Sequence, residues 1–150
     1  MSKPPATDLS QFSLETFLPY RLNVAAARAI AGLARRYRDD FGISGAEWRV
    51  LTHLLQFGQV SVRDIEHQHY LEKSKASRAA ARLEIQGYVT KTVNTADRRL
   101  VLLSQTDQGH ALLAELIPLA QACQSELEQR LAGDLAGLMT ALDRLADPDD

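Results

Sequence analysis

The sequence is short of several residue types, having one cysteine, eight glycines, five prolines and one tryptophan among 150 residues. One cysteine cannot build a disulfide framework within the chain and fits a reducing compartment. Such modest glycine and proline content, beside 45% hydrophobic and 24% charged residues, excludes collagen-like and disordered composition. Long apolar runs are missing too. The longest are broken by Arg28 and Glu115, well short of the roughly 18 residues that a membrane span requires. Met1 to Gln11 is polar and lacks the apolar stretch of a secretory signal. The expectation is a soluble, cytoplasmic protein with no membrane partner and enough chain for one core.

Neither sign of charge dominates, since the formal net charge is −2, but the balance is uneven along the chain. Residues 1–60 carry 7 basic and 5 acidic side chains, residues 61–100 carry 8 and 5, and residues 101–150 carry 2 and 9. A basic middle joined to an acidic last third leaves room for a local positive patch, which phosphate binding needs.

From Leu22, the residues Ala26, Ala29, Ile30, Leu33 and Tyr37 recur at helical spacing, with Pro19 suited to the first turn. Ser44-Gly-Ala-Glu47 reads as a capping box, with Ser44 accepting from the Glu47 amide and Glu47 reaching back. A helix through Trp48, Leu51, Leu54 and Leu55 should stop at Gly58. Ser61-Val-Arg-Asp64 is a weaker start signal before a short helix around Ile65, and a third helix follows from about Ser74 to Gln86, stopped by Gly87. The period then changes to two: Tyr88 to Val93 and Leu100 to Leu103 read as a hairpin with the polar tip Asn94 to Arg99. Thr106 or Asp107 starts a long helix with the seam Leu113, Leu116, Ile117, Ala120, Cys123, Leu127 and Leu131, which Pro118 should kink. Gly133-Asp134 restarts a last helix whose face is Leu135, Leu138, Met139, Leu142 and Leu145, and Asp147 to Asp150 is a frayed tail.

A short helix, a turn, a second helix and a hairpin with arginines at its tip follow the order of a winged helix-turn-helix module. The fold class expected is mainly α (α+β), with the module at 44–104 and long helical regions at 12–40 and 106–146 of a single subunit, 1–150, the regions to which the family resemblance described below assigns dimerisation. On the second helix of the pair Ala76, Ala80, Leu83 and Gly87 should face inward, leaving Lys75, Ser77, Arg78 and Arg82 outward. All four are hydrogen-bond donors able to meet base edges or phosphates, and the helix N-terminus favours a phosphate. Arg98 and Arg99 on a projecting loop suit the narrow minor groove.

The run Gly42-Ile-Ser-Gly-Ala-Glu-Trp-Arg-Val-Leu51, then Lys73-Ser-Lys-Ala-Ser-Arg78, Arg82-Leu-Glu84, Gly87-Tyr-Val89, Asp97-Arg-Arg99 and Leu103-Ser-Gln-Thr106 with Gly109 resembles the MarR (multiple antibiotic resistance regulator) family over roughly Leu18 to Leu145. The resemblance implies a homodimer with interdigitated terminal helices. It implies double-stranded DNA as partner, bound at a pseudo-palindromic operator, and repression relieved by a small effector, for which an aromatic or phenolic acid is the expected type. It also implies recognition-helix contacts from Lys73, Ser74, Lys75, Ser77, Arg78 and Arg82, phosphate contacts from Ser61 and Arg63, and a wing in which Asp97 orients Arg99 beside Arg98. An effector pocket between the helix at Trp48 and the dimerisation helices makes Arg28, Trp48 and His53 its candidates. The chain departs from the family pattern at Ala76 and Ala80, where many relatives are larger, and at Gln105, usually apolar; both bear on how the recognition helix and wing pack.

Other readings stand beside these. The stripe Arg21, Arg28, Arg35 fits ion pairing with the acidic C-terminal helices or, at one position, an effector carboxylate. Cys123 fits a small buried hydrophobe better than a redox switch. His67 and His69 near Glu66 fit a solvated turn better than a zinc site, so no metal or cofactor is expected. Trp48 and His53 can equally be core. No catalytic constellation is visible, so the chain is not expected to be an enzyme. The alternative to a regulator is a winged-helix adaptor that binds protein and holds DNA only weakly.

Overall fold

The structure, a computed structural model, describes residues 8–69 and 71–147, with the side chains of residues 68 and 69 outside that description. Its contacts divide into a unit ending at Gly32 and a unit beginning at Leu33. In the first, Asp8 accepts from the Ser10 amide at 3.0 Å and caps a single 3-10 turn, Leu9–Gln11, and the rings of Phe12 and Phe17 lie 5.3 Å apart. Helix α1, Leu18–Phe41, begins here with Pro19 in its first turn, where a missing N–H leaves no bond unmade. The helix starts one residue before Pro19, as its place in the first turn led one to expect.

The second unit continues with α2 (Gly45–Phe57), the two-residue strand β1 (Val60–Ser61), α3 (Val62–His69), α4 (Lys73–Ile85), β2 (Val89–Val93), β3 (Val101–Gln105), α5 (Asp107–Leu131), a 3-10 turn at Ala132–Asp134 and α6 (Leu135–Ala146). The fold is mainly α with one small antiparallel sheet in the order β1-β3-β2, a winged helix-turn-helix with a long C-terminal helix. The hairpin pairs Val89 with Gln105 and Val93 with Val101, and β1 pairs Val60 with Leu103. The third strand was not foreseen; two residues are too few for a period to register.

Helical spacing sets the core. Val50, Leu51 and Leu54 of α2 meet Ala79, Ala80 and Leu83 of α4, closed by Ile43, Ile65, Val89, Leu103, Leu113 and Leu116. Ala76 and Ala80 are fully buried, and side chains this small let α4 sit close against its neighbours. Gln105 is accommodated because its side-chain amide donates to the Leu51 carbonyl at 3.0 Å, so a polar residue at the end of the wing finds a partner in α2.

Two start signals exchange strengths. At Ser44 the hydroxyl accepts from the Glu47 amide at 3.2 Å as expected, but Glu47 does not reach back; it is buried and its Oε1 lies 3.3 Å from Arg82 Nε. A cation brought in by α4 outcompetes an exposed backbone amide for that carboxylate. At Ser61 the weaker signal forms the complete box. Asp64 N donates to Ser61 Oγ at 3.1 Å, and Asp64 Oδ2 accepts from Ser61 N at 3.2 Å and from its hydroxyl at 2.8 Å.

Thr106 caps α5, its hydroxyl accepting from Gly109 N and donating to the Gly87 carbonyl at 2.6 Å. Helix α5 runs as one helix through Pro118. Leu112, Leu113 and Leu116 are buried, while Ile117, Ala120, Cys123, Leu127 and Leu131 further along the expected seam are only half-buried in the protomer. Ala132 has φ +45°, the region that favours glycine, at the corner between α5 and α6. The expected face of α6 is largely uncovered, with Leu138, Met139, Leu142 and Leu145 exposed.

Tyr37, near the end of α1, packs its ring 4.7 Å from that of Trp48 and donates its hydroxyl to the Leu116 carbonyl at 3.2 Å. Burial first, and the negative charge of Cys123 second, push its phenol from 10.0 up to about 12. The native state therefore keeps this proton while the unfolded chain has already lost it. The stabilisation is complete below pH 10 and is lost as the pH rises through about 12. A near-ultraviolet titration should show one late tyrosine ionisation accompanying alkaline unfolding, and Tyr37→Phe should remove that late step.

Candidate nucleic-acid interface

The wing tip is closed by side chains. Asn94 Oδ1 accepts from the amides of Ala96 at 2.9 Å and Asp97 at 3.4 Å, and Asp97 Oδ1 accepts from the Arg99 amide at 3.0 Å. Asp97 thus orients Arg99 through the backbone. Across the strands the Asn94 amide donates to the Leu100 carbonyl at 3.0 Å, which fixes where the loop leaves the sheet.

Helix α4 presents its small residues inward and keeps Lys73, Ser74, Lys75, Ser77, Arg78 and Arg82 exposed. Its first turn has no side-chain cap, so amides there point outward beside Lys73 and Lys75. Lys75 Nζ lies 4.0 Å from Glu72, and Arg78 folds back so that its Nε donates to the Ser74 carbonyl at 3.1 Å. Arg82 stays 64% exposed at its side chain while its Nε is held by Glu47.

Between α3, α4 and the wing lies a cleft of about 430 Å³, and six expected residues line it, among them Arg63, Lys73, Ser77, Asp97 and Arg99. Ser61 lines it as well, but is buried with its hydroxyl committed to Asp64, so it fixes the start of α3 instead of reaching outward. Lys91 also faces the cleft and was missed. It follows Val89 at a spacing of two, on the hairpin face that leads from the core, with its Nζ 3.9 Å from Glu84. That alternation was the available signal. Arg63, Lys73, Lys91 and Arg99 against Glu66 and Asp97 leave the lining net positive. Arg98 is exposed at the wing tip.

The effector-pocket candidates lie on α1 and α2. Arg28 is exposed on α1, Trp48 is half-buried on Tyr37, and His53 is buried with its ring 4.6 Å from that of Phe57, a core position. Arg21 and Arg35 are exposed on α1. Among the described residues no group of three His, Cys, Asp or Glu could hold a metal ion, and the His69 side chain lies outside them. No helix among the described residues is long and apolar enough to cross a membrane.

A helix-turn-helix whose outward helix and cationic wing line one cleft defines a winged-helix transcriptional regulator. Residues 41–100 match the MarR family. The chain is similar to an HTH-type transcriptional regulator of Bacillus subtilis, YwaE, at 29% identity over 135 residues, 90% of this chain and 77% of that protein. It is 33% identical over 76 residues to the HTH-type transcriptional repressor MdtR of the same organism, which spans 51% of this chain and 49% of that protein. Among solved structures, a MarR family transcriptional regulator from Silicibacter pomeroyi has TM-score 0.76 and 27% identity, covering 95% of this chain and 97% of that one. Bordetella bronchiseptica BpsR, whose DNA binding is regulated by 6-hydroxynicotinic acid, shares the fold at TM-score 0.77 and 22% identity, covering 92% and 99%. Residues 41–100 thus match the MarR family, and the chain is similar over most of its length to transcriptional regulators, one of them a solved member of that family.

Proposed function

We propose that the protein is a homodimeric, sequence-specific DNA-binding repressor released from a pseudo-palindromic operator by a small aromatic acid. The observation that carries the DNA reading is the net positive cleft shared by α4 and the wing, with Lys75 and Arg78 exposed on the same helix. Arg63, Lys73 and Lys91 meet phosphates; Ser74, Lys75, Ser77 and Arg78 reach base edges; Arg98 and Arg99 enter the minor groove. Dimerisation is supported by apolar side chains that one protomer leaves uncovered, namely Leu138, Met139, Leu142 and Leu145 on α6 and Leu18 and Ile30 on α1. Two recognition helices then sit about 34 Å apart, one turn of B-DNA. The repressive sign follows MdtR, and the effector class follows BpsR and the resemblance in sequence. Such an acid weakens DNA binding only by its difference in affinity for the two helix spacings.

The test is selection of bound duplexes from a random pool, then affinity for the winner against scrambled DNA at two salt concentrations. An inverted repeat bound ~10³-fold or more tighter than scrambled DNA is expected. Recovery of no motif, with binding that vanishes at physiological salt, would replace this reading with the protein-binding adaptor.

A further inference from the structure

Glu47 is among the most deeply buried side chains of the protein, 1% exposed, although it is a carboxylate. Its Oε1 lies 3.3 Å from Arg82 Nε, and its Oε2 is buried with no hydrogen-bond partner among the described residues. An ion with an orphaned oxygen is costly to bury and is seldom tolerated without a reason. Its partner is no ordinary core cation, because the Arg82 side chain remains 64% exposed and lies on α4 at i+4 from Arg78 and i+7 from Lys75. Nε lies beside a buried anion, while most of the side chain is left to solvent at the recognition helix.

We propose that Glu47 is a positioning residue for Arg82: it holds Nε from beneath α4 and thereby fixes the Nη groups as an outward fork for a DNA phosphate. The inference rests on the DNA-binding reading above and deepens it. The carboxylate cannot release Arg82 without losing its one charged partner, so the arginine is restrained before DNA arrives and less rotamer freedom is lost on binding. Arginine suits this double engagement because its planar fork offers five donors, one for the core and the rest for the ligand, whereas a lysine ammonium is a single point.

The experiment uses the full chain and the selected operator. Glu47→Leu leaves no buried charge behind and frees an arginine that is already in solvent, so the variant folds with a thermal midpoint at or above that of the wild type. Its operator affinity is expected to fall about tenfold with the salt slope reduced by about one, the signature of a lost phosphate contact. Removing the side chain as well, in the Glu47→Leu/Arg82→Ala double variant, should then change affinity by less than about twofold, because contacts that act as a unit are not additive. Glu47→Gln, which can still accept from Nε, should recover part of the loss. In the DNA-free protein, the Arg82 Nε–H should exchange slowly with solvent in the wild type and rapidly in Glu47→Leu.

A Glu47→Leu protein with wild-type affinity and slope would overturn the proposal, as would a full additional tenfold loss in the double variant. Fast exchange of Nε–H in the wild type would remove the pair itself. Failure of the wild type to bind any selected duplex would strike the DNA reading, a different outcome from loss of coupling in a protein that binds.

Discussion

Replacing Gly109 by alanine should destabilise the protein by about 3 kcal/mol, because a methyl group there has nowhere to go. A Cβ on Gly109 would overlap the Tyr88 carbonyl oxygen and come within 3.2 Å of its carbon. Both are backbone atoms, and the backbone is held. That oxygen accepts from the Thr106 amide at 3.1 Å, the Tyr88 amide donates to the Leu83 carbonyl at 2.9 Å, and Val89 is already paired with Gln105. Relief would therefore cost the Thr106 bonds that join the end of α4, the start of β2 and the cap of α5. For a chain of this size the loss corresponds to a fall in thermal midpoint of roughly 6–12 °C. Gly87 is the internal comparison. A Cβ there would meet only the end of the flexible Gln108 side chain, at 2.6 Å, and its positive φ of 81° makes alanine cost about 1 kcal/mol. Equal midpoints for the two variants would show that α5 does not approach the hairpin this closely.

That junction shows what the sequence made legible and where it fell silent. Gly87 and Thr106 were visible as a stop and a helix start, and Gly109 as part of the family pattern, yet their mutual contact is a matter of tertiary approach that no local period encodes. The recognition helix was legible because alternation of Ala76, Ala80 and Leu83 with charged residues reports a face directly. Leu112 escaped the seam of α5 because one protomer's core reads a wider stripe than the narrower seam Leu113, Leu116 and Ile117 drew. Glu47 was misjudged for the opposite reason. Its local partner, the Ser44 amide, is what a capping box supplies, and the competing partner lies 35 positions away in sequence on another helix. The cationic cleft follows a similar division: Arg63, Lys73 and Arg99 were named from their places in the motif, while Lys91 was signalled only by its spacing of two from the buried Val89.

The wing carries the largest expected effect on DNA. Arg99→Ala should weaken operator binding by about 1–3 kcal/mol and lower the salt slope by about one, if the minor-groove reading of this side chain holds. The turn that presents Arg99 is fixed by two side-chain acceptors in series, Asn94 for the Ala96 and Asp97 amides and Asp97 for the Arg99 amide, with the Leu100 amide donating to the Asp97 carbonyl at 3.0 Å. Asp97→Ala removes the acceptor that sets the direction in which the arginine leaves the loop, without removing a cation. It should therefore lose affinity much as Arg99→Ala does, because an arginine that leaves the loop in another direction no longer reaches the groove. Asp97→Asn keeps a side-chain oxygen for the Arg99 amide and should bind close to wild type. The contrast between the variants separates a charge that is read from a turn that aims it. Were Arg99→Ala to bind with unchanged affinity and slope, the wing would be a support for the sheet, and recognition would rest on α4 alone.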